Sequence, residues 1–321
     1  MDAVTKSVKE MYEKYPFPAC NMINVAYGKR IRNDLKNRDL SCNGFKILDA
    51  GCGSGEKVIS LAKVFPDSEV IGWDISGASL GKARALAEQE KVSNIKFENV
   101  NLLDFDLEQY KDNFDLIISW GVIHHLADTV KGFRNLGICL KPTGLLYAWL
   151  YALHSLQRIE TRLVREAADV LLQKEEFSYE KGVKVVNAVK KLIKTLNYGG
   201  KRDFLMHLKW FFDKDVDKRQ ILAHVFKHAG KLKYGSDYDA NIVDAFLHAN
   251  VKDYSIRMIF EETEAAGLEI VDFIEPPVKI EPFVDSDYVI KLYNNLSFRD
   301  KMEVMERLVN PGNHLFLARR K

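Results

Sequence analysis

Nine residues constrain this chain more than any other stretch: Ile47-Leu48-Asp49-Ala50-Gly51-Cys52-Gly53-Ser54-Gly55. A short apolar run ends in an acid, and three glycines follow at alternate positions. Ile47 and Leu48 suit a buried strand. Glycines at 51, 53 and 55 suit a turn where backbone comes close to something and a side chain would collide. Val58-Ile59-Ser60-Leu61-Ala62 then has the spacing of a helix start. Strand, glycine-rich turn and helix together open a nucleotide-binding α/β unit. A dinucleotide fingerprint needs G-x-G-x-x-G, whereas this chain reads G-x-G-x-G, so an NAD-dependent oxidoreductase has little support.

The run Asp49-Ala50-Gly51-Cys52-Gly53-Ser54-Gly55 resembles the first motif of the class I S-adenosylmethionine (SAM)-dependent methyltransferases. A second strand, Glu69-Val70-Ile71-Gly72-Trp73-Asp74, ends in an acid 19 residues after Gly55. An acid there accepts hydrogen bonds from ribose hydroxyls, a requirement shared by dinucleotide and SAM sites. A lone Asp after a strand can instead cap a helix; Ser76 and Ser79 are nearby for that, which leaves Asp74 for the ligand. The run Phe114-Asp115-Leu116-Ile117-Ile118-Ser119, followed by an apolar-His-His-Leu stretch ending at Leu126, again resembles this family.

The resemblance implies SAM as cofactor, S-adenosylhomocysteine (SAH) as product, and a set of cofactor residues. Asp49, Gly51, Cys52 and Gly53 form the glycine turn, and Ile75 packs one face of the adenine. The family usually places an acid after the third strand (Ile95–Val100) to hold the adenine amino group. Here that position falls on Asn101, whose carbonyl can accept instead, with the Leu102 amide donating to the ring and Asp104 as the substitute acid. Backbone carbonyls around Ser119–Gly121 would hold the methionine amino group, with Trp120 lining the pocket near the sulfonium. His124 and His125 are candidate bases, since imidazole titrates near neutrality; packing against a helix or loop is their other role. No metal is expected.

Composition sets the outer limits. The chain has 321 residues, 47% hydrophobic and 29% charged, which reads as globular. No run approaches the roughly 18 apolar residues of a membrane span. The N-terminus is polar and lacks a signal-peptide core. Cysteines at 20, 42, 52 and 139 form no C-x-x-C pair, which argues against a zinc cluster or disulfide framework and for a cytoplasmic setting. Net charge is +2, too small to imply nucleic acid by itself. Between Leu153 and Ala240, however, 18 Lys and Arg face 12 Asp and Glu, a net of +6 that leaves −4 for the rest.

The expected fold is an α/β Rossmann-like methyltransferase sheet with helices on both faces. An all-helical insertion lies between the fifth strand and the final helix-strand unit. Residues 1–44 read as an N-terminal helical lid segment: Val4, Val8, Met11 and Tyr12 have helical spacing, and Tyr15-Pro16-Phe17-Pro18 ends that helix. Tyr15 and Phe17 either cover the cofactor or pack on the core. Residues 28–43 read as a basic helix end and a loop. Residues 45–152 and 255–321 read as the SAM-binding core, with a turn at 141–144 before a fifth strand at 145–151 and helical residues over 287–309. Residues 153–254 change period and read as a helical lid, substrate or dimerisation block, with His154 at its edge as a substrate or lid residue.

Such motifs reveal the methyl donor and not the acceptor. The fourth strand ends in Ser119-Trp120-Gly121 and not in the Asn/Asp-Pro-Pro-aromatic that methyltransferases of exocyclic or amide nitrogens use. A small-molecule acceptor is favoured. The alternatives are a protein or RNA docked on the basic helical block, and a SAM-binding partner or sensor without turnover.

Overall fold

The computed structural model describes residues 1–18, 23–40, 44–172, 178–198, 238–281 and 284–321. It divides into two compact units, Met1–Ser155 with Ala249–Lys321, and Leu156–His248.

The first unit is built on a seven-stranded sheet. Its strands are β1 (Lys46–Ala50), β2 (Glu69–Asp74), β3 (Ile95–Asn99), β4 (Phe114–Trp120), β5 (Leu140–Tyr151), β6 (Leu268–Glu275) and β7 (Asn313–Arg320). The spatial order is β3-β2-β1-β4-β5-β7-β6. β1 to β5 pair in parallel, and β7 runs antiparallel to both β5 and β6. Chain order reverses between β1 and β4, and ligands collect at such a switch point, outside the carboxyl ends of the strands.

Alternation along the strands splits the core in two. Leu48, Ala50, Ile117, Leu146 and Phe316 face one side, where Ile256, Ile259, Met302 and Met305 cover them. Ile47, Val70, Leu116, Ile118 and Leu317 face the other, where Ile31, Leu35, Val58 and Leu61 cover them. The helices of the first unit are α1 (Ala3–Lys14), α2 (Ala26–Lys36), α3 (Glu56–Val64), α4 (Gly77–Gln89), α5 (Leu107–Tyr110) and α6 (Thr129–Cys139). The second unit contributes α7 (Leu156–Leu172), α8 (Tyr179–Tyr198) and α9 (Tyr238–Phe246), and the first unit resumes with α10 (Ile256–Ala265), α11 (Asp287–Asn294) and α12 (Phe298–Val309).

Two segments differ from the sequence reading. Residues 28–43 were expected to be a helix end and a loop, but 26–36 form a full helix. Gly28, Ile31 and Leu35 recur at helical spacing and are buried, while the basic residues occupy the other faces. Gly28 lets α2 touch α3 at backbone distance: a Cβ there would lie 2.6 Å from the Ser60 carbonyl oxygen. Residues 287–309 are helical as the spacing predicts, in two helices. The second starts at a Ser297 cap that accepts from the Asp300 amide. Residues 141–144 belong to β5, because its pairing with β4 begins at Phe114–Leu140 and resumes at Leu116–Leu145 after a register shift.

In the second unit, α7, α8 and α9 pack together. Val164, Ala168, Val186, Ile242 and Val243 are buried among them. The described residues of this unit hold no strand. The expected helical segments at 204–208 and 221–226 lie outside the described residues. Among the described residues, no helix is long and apolar enough to cross a membrane.

Candidate functional site

The glycine turn sits at the carboxyl end of β1. The amides of Gly51 and Cys52 both donate to the Trp73 carbonyl, each at 2.8 Å, which locks the turn to β2. Gly51, Gly53 and Gly55 have φ of 90°, 54° and 93°, the left-handed region that side chains resist. Space is equally restrictive. A Cβ at Gly51 would lie 2.3 Å from Val122 Cγ2, and one at Gly53 would lie 2.2 Å from the Phe17 carbonyl oxygen. Gly55 leads into α3, whose N-terminus therefore points its free amides toward the turn. Cys52 is buried and its thiol is pushed up by that burial, so it fills space against Gly72 and is not a thiolate.

Asp74 ends β2 with its carboxylate turned back to the glycine turn. Oδ2 accepts from the Gly53 amide at 2.8 Å and Oδ1 from the Ser76 amide at 2.9 Å. Each oxygen keeps a second lone pair, which suits two further hydroxyl donors. Asp74 does not cap α4. Ser76 does so, accepting from the Ser79 amide, and the Glu13 carboxylate takes the Gly77 and Ala78 amides. Burial pushes the Asp74 carboxyl up to about 6, partly offset by its two amide bonds.

Asp49 is more deeply placed, at 2% exposure. Its Oδ2 is buried with no hydrogen-bond partner. Burial, with repulsion from Asp74, pushes its carboxyl up to about 7 against the pull of Lys57. The buried Ser119 hydroxyl likewise has no partner.

The adenine end is plainer. Ile75 is half-buried beside Asp74. The Asn101 side-chain carbonyl accepts from the Leu103 amide at 3.1 Å, and Asn101 bridges to Asp104. Part of its accepting capacity thus holds its own loop. Leu102 is buried, and its carbonyl accepts from Asn135 Nδ2 at 2.8 Å.

At the carboxyl ends of β4 and β5 stands a wall of rings. Trp120 stacks on Trp149 with centroids 5.7 Å apart and planes 8° apart, and Tyr151 meets Trp149 edge-on at 5.2 Å. Trp120, Trp149 and Tyr151 are each half-buried. His124 is fully buried and lies 4.2 Å from both the Tyr151 and His125 rings. His125 Nδ1 lies 2.8 Å from the Asn250 carbonyl, so that nitrogen carries the proton and donates. The Asn250 amide in turn donates to the His125 and Leu126 carbonyls. Both imidazoles therefore have packing work.

Of the other expected residues, Phe17 reaches the glycine turn: its carbonyl accepts from the Ser54 amide at 3.0 Å. Tyr15 packs beside the Lys14 ammonium, and His154 is exposed in the turn after β5. The sequence reading missed Tyr27 and Lys57. Tyr27 meets Trp120 edge-on at 5.1 Å, and the Lys57 ammonium lies 5.4 Å from the Trp120 ring centre. Lys57 was readable as the second residue after Gly55, inside the first turn of α3. Tyr27 was not, because the spacing pointed only to a helix end and a loop over 28–43 and not to the full helix that carries it.

A family model described as a methyltransferase domain matches residues 42–203, half of the chain. The chain belongs to the class I SAM-dependent methyltransferase family. Its seven-stranded mixed sheet with helices is that family's fold, and SAM is that family's cofactor. An uncharacterised protein of Synechococcus sp. is 29% identical over 245 residues, covering 74% of this chain and 57% of that protein. Trans-aconitate 2-methyltransferase of Deinococcus radiodurans is 33% identical over 109 residues, 34% of this chain and 39% of its own length. The structure of PKMT2 from Rickettsia typhi in complex with AdoHcy matches with a TM-score of 0.69 at 18% identity, covering 95% of this chain and 55% of that one. This methyltransferase thus spans about half the length of the relatives it matches.

The site fits the cofactor on its own terms. The glycine turn is held open where Cβ atoms would collide, Asp74 keeps two lone pairs, and the buried oxygens of Asp49 and Ser119 lack partners.

Proposed function

We propose that this methyltransferase acts on a small-molecule acceptor seated at the carboxyl ends of β4 and β5. The observation that carries this reading is the half-buried wall of Trp120, Trp149 and Tyr151. Flat rings offer a large apolar surface to the body of a small unsaturated acceptor. Two relatives matched over about 105 residues each, trans-aconitate 2-methyltransferase and a ubiquinone biosynthesis O-methyltransferase of Acinetobacter baylyi, are named for small molecules and support the same class.

SAM supplies a methyl on a sulfonium, which an acceptor atom displaces in line. The protein's work is alignment and exclusion of water. In our reading Asp74 holds both ribose hydroxyls, and Gly51 and Gly53 let the backbone approach the cofactor. Ile75 and Leu102 flank the adenine, with Asn101 at its amino group. Asp49, Ser119 and the backbone beside Trp120 take the amino-acid end. The segment 1–44, fixed to the turn through Phe17, acts as a lid. His124 and His125 lie beside the ring wall and serve as the base where an acceptor must lose a proton early. A cytoplasmic setting accords with the cysteine usage.

A second reading places a protein or RNA acceptor on residues 153–254, favoured by the net +6 between Leu153 and Ala240. The test is incubation with methyl-labelled SAM and extract from the source cells, followed by nuclease and protease digestion. Label in nuclease- and protease-resistant small molecules supports the first reading. Label lost on digestion supports the second. SAM bound and released unchanged, with no labelled product, indicates a sensor and overturns both.

A further inference from the structure

The Tyr27 hydroxyl is buried and has no hydrogen-bond partner, although its ring is half-buried. α2 holds it there: the Gly28 amide donates to Ser60 Oγ at 3.0 Å, and Ser60 Oγ donates to the Asn24 carbonyl at 3.0 Å. These bonds bracket Tyr27 and clamp α2 against α3, the helix that leaves the glycine turn. The Tyr27 ring lies edge-on to Trp120 at 5.1 Å, and the Lys57 ammonium sits 5.8 Å from its centre. Burial, and then the charge of nearby Asp49, push the Tyr27 hydroxyl up, and the buried Asp49 Oδ2 is also without a partner. Both residues border the end of β4: Tyr27 meets its last residue, Trp120, and Asp49 pairs with Ile118 two residues earlier on that strand.

Buried oxygens without partners are costly, and structures rarely keep them without a ligand or water to satisfy them. A primary ammonium has three N–H donors, enough for both. We propose that Tyr27 is a cofactor-binding residue, its hydroxyl joining Asp49 in receiving the α-ammonium at the amino-acid end of SAM. This assignment rests on the reading of Asp49 given above. It makes α2, outside the glycine motif, part of the cofactor site, and it gives the protein a means of telling the whole cofactor from its nucleoside part.

The test uses Tyr27→Phe in the full chain, which keeps the ring and its contact with Trp120 and removes only the oxygen. Two ligands are titrated by calorimetry: SAH, which carries the amino-acid end, and 5′-methylthioadenosine, which lacks it. The expected result is SAH binding weakened about 3- to 10-fold, the worth of one hydrogen bond, with methylthioadenosine affinity unchanged. Equal weakening of both ligands would mean that Tyr27 merely supports the fold, and would overturn the proposal while leaving the cofactor site in place. Unchanged affinity for both would overturn it too. A wild-type protein that binds neither ligand would remove the cofactor-site reading along with it.

Discussion

Asp49 is a carboxylate buried where it is uncomfortable. Its carboxyl sits at about 7 against an ordinary value of 3.8, chiefly through burial. The folded chain therefore holds this proton where the unfolded chain has lost it, so stability falls as pH rises from about 4 to about 7. The penalty is complete above pH 7. Asp49→Asn should flatten that slope in thermal unfolding of the ligand-free protein and raise its melting temperature above pH 7. The same change should weaken SAM binding by roughly 1.5–3 kcal/mol, the worth of a hydrogen bond to a charged group. A slope identical to wild type would mean that Asp49 is not the titrating group. The acid was legible from the sequence because its spacing to Gly51 is part of the motif. Its cost was not, since burial depends on strands 20 and 65 residues away.

At the scale of elements, the N-terminal helix is tied to the cofactor side by its last turn. The Glu13 carboxylate accepts the Gly77 and Ala78 amides, and the Ser76 hydroxyl donates to the Tyr12 carbonyl. Carboxylates at a helix N-terminus contribute about 0.5–2 kcal/mol. Glu13→Ala should loosen α1 from α4 and raise the SAM dissociation rate in stopped-flow measurements, with the sheet still folded by circular dichroism. An unchanged rate would argue against a lid role for residues 1–44. Strands and the glycine turn were readable because they pair apolar runs with punctuation. α2 was not: its buried face has only Gly28, Ile31 and Leu35, and a glycine carries no apolar signal.

For the whole molecule, the two stretches of the first unit that flank the second in sequence meet on the sheet. Ala152 bridges to Tyr254, and the Leu153 amide donates to the Tyr254 carbonyl at 2.8 Å. The chain thus leaves and re-enters the first unit at neighbouring points, so a short glycine-rich linker can replace Leu156–His248. The shortened protein should fold and bind SAH, because the sheet, the glycine turn and Asp74 all lie in the first unit. Loss of methyl transfer with SAH binding intact would assign residues 153–254 to the acceptor. Loss of folding would assign them to stability. The helical nature of α7 and α8 was legible in their period; the block's task was not, because helical spacing says which face is buried and nothing about what docks there.

The central claim is that Asp74 and the glycine turn hold SAM. The most direct measurement is calorimetric titration of SAH into wild type and Asp74→Asn at neutral pH. The substitution keeps one accepting oxygen for the loop and removes a charged partner of the ribose. The account predicts binding by wild type and an affinity at least about tenfold lower in the variant, with a melting temperature close to that of wild type. Equal affinities in two folded proteins would contradict it.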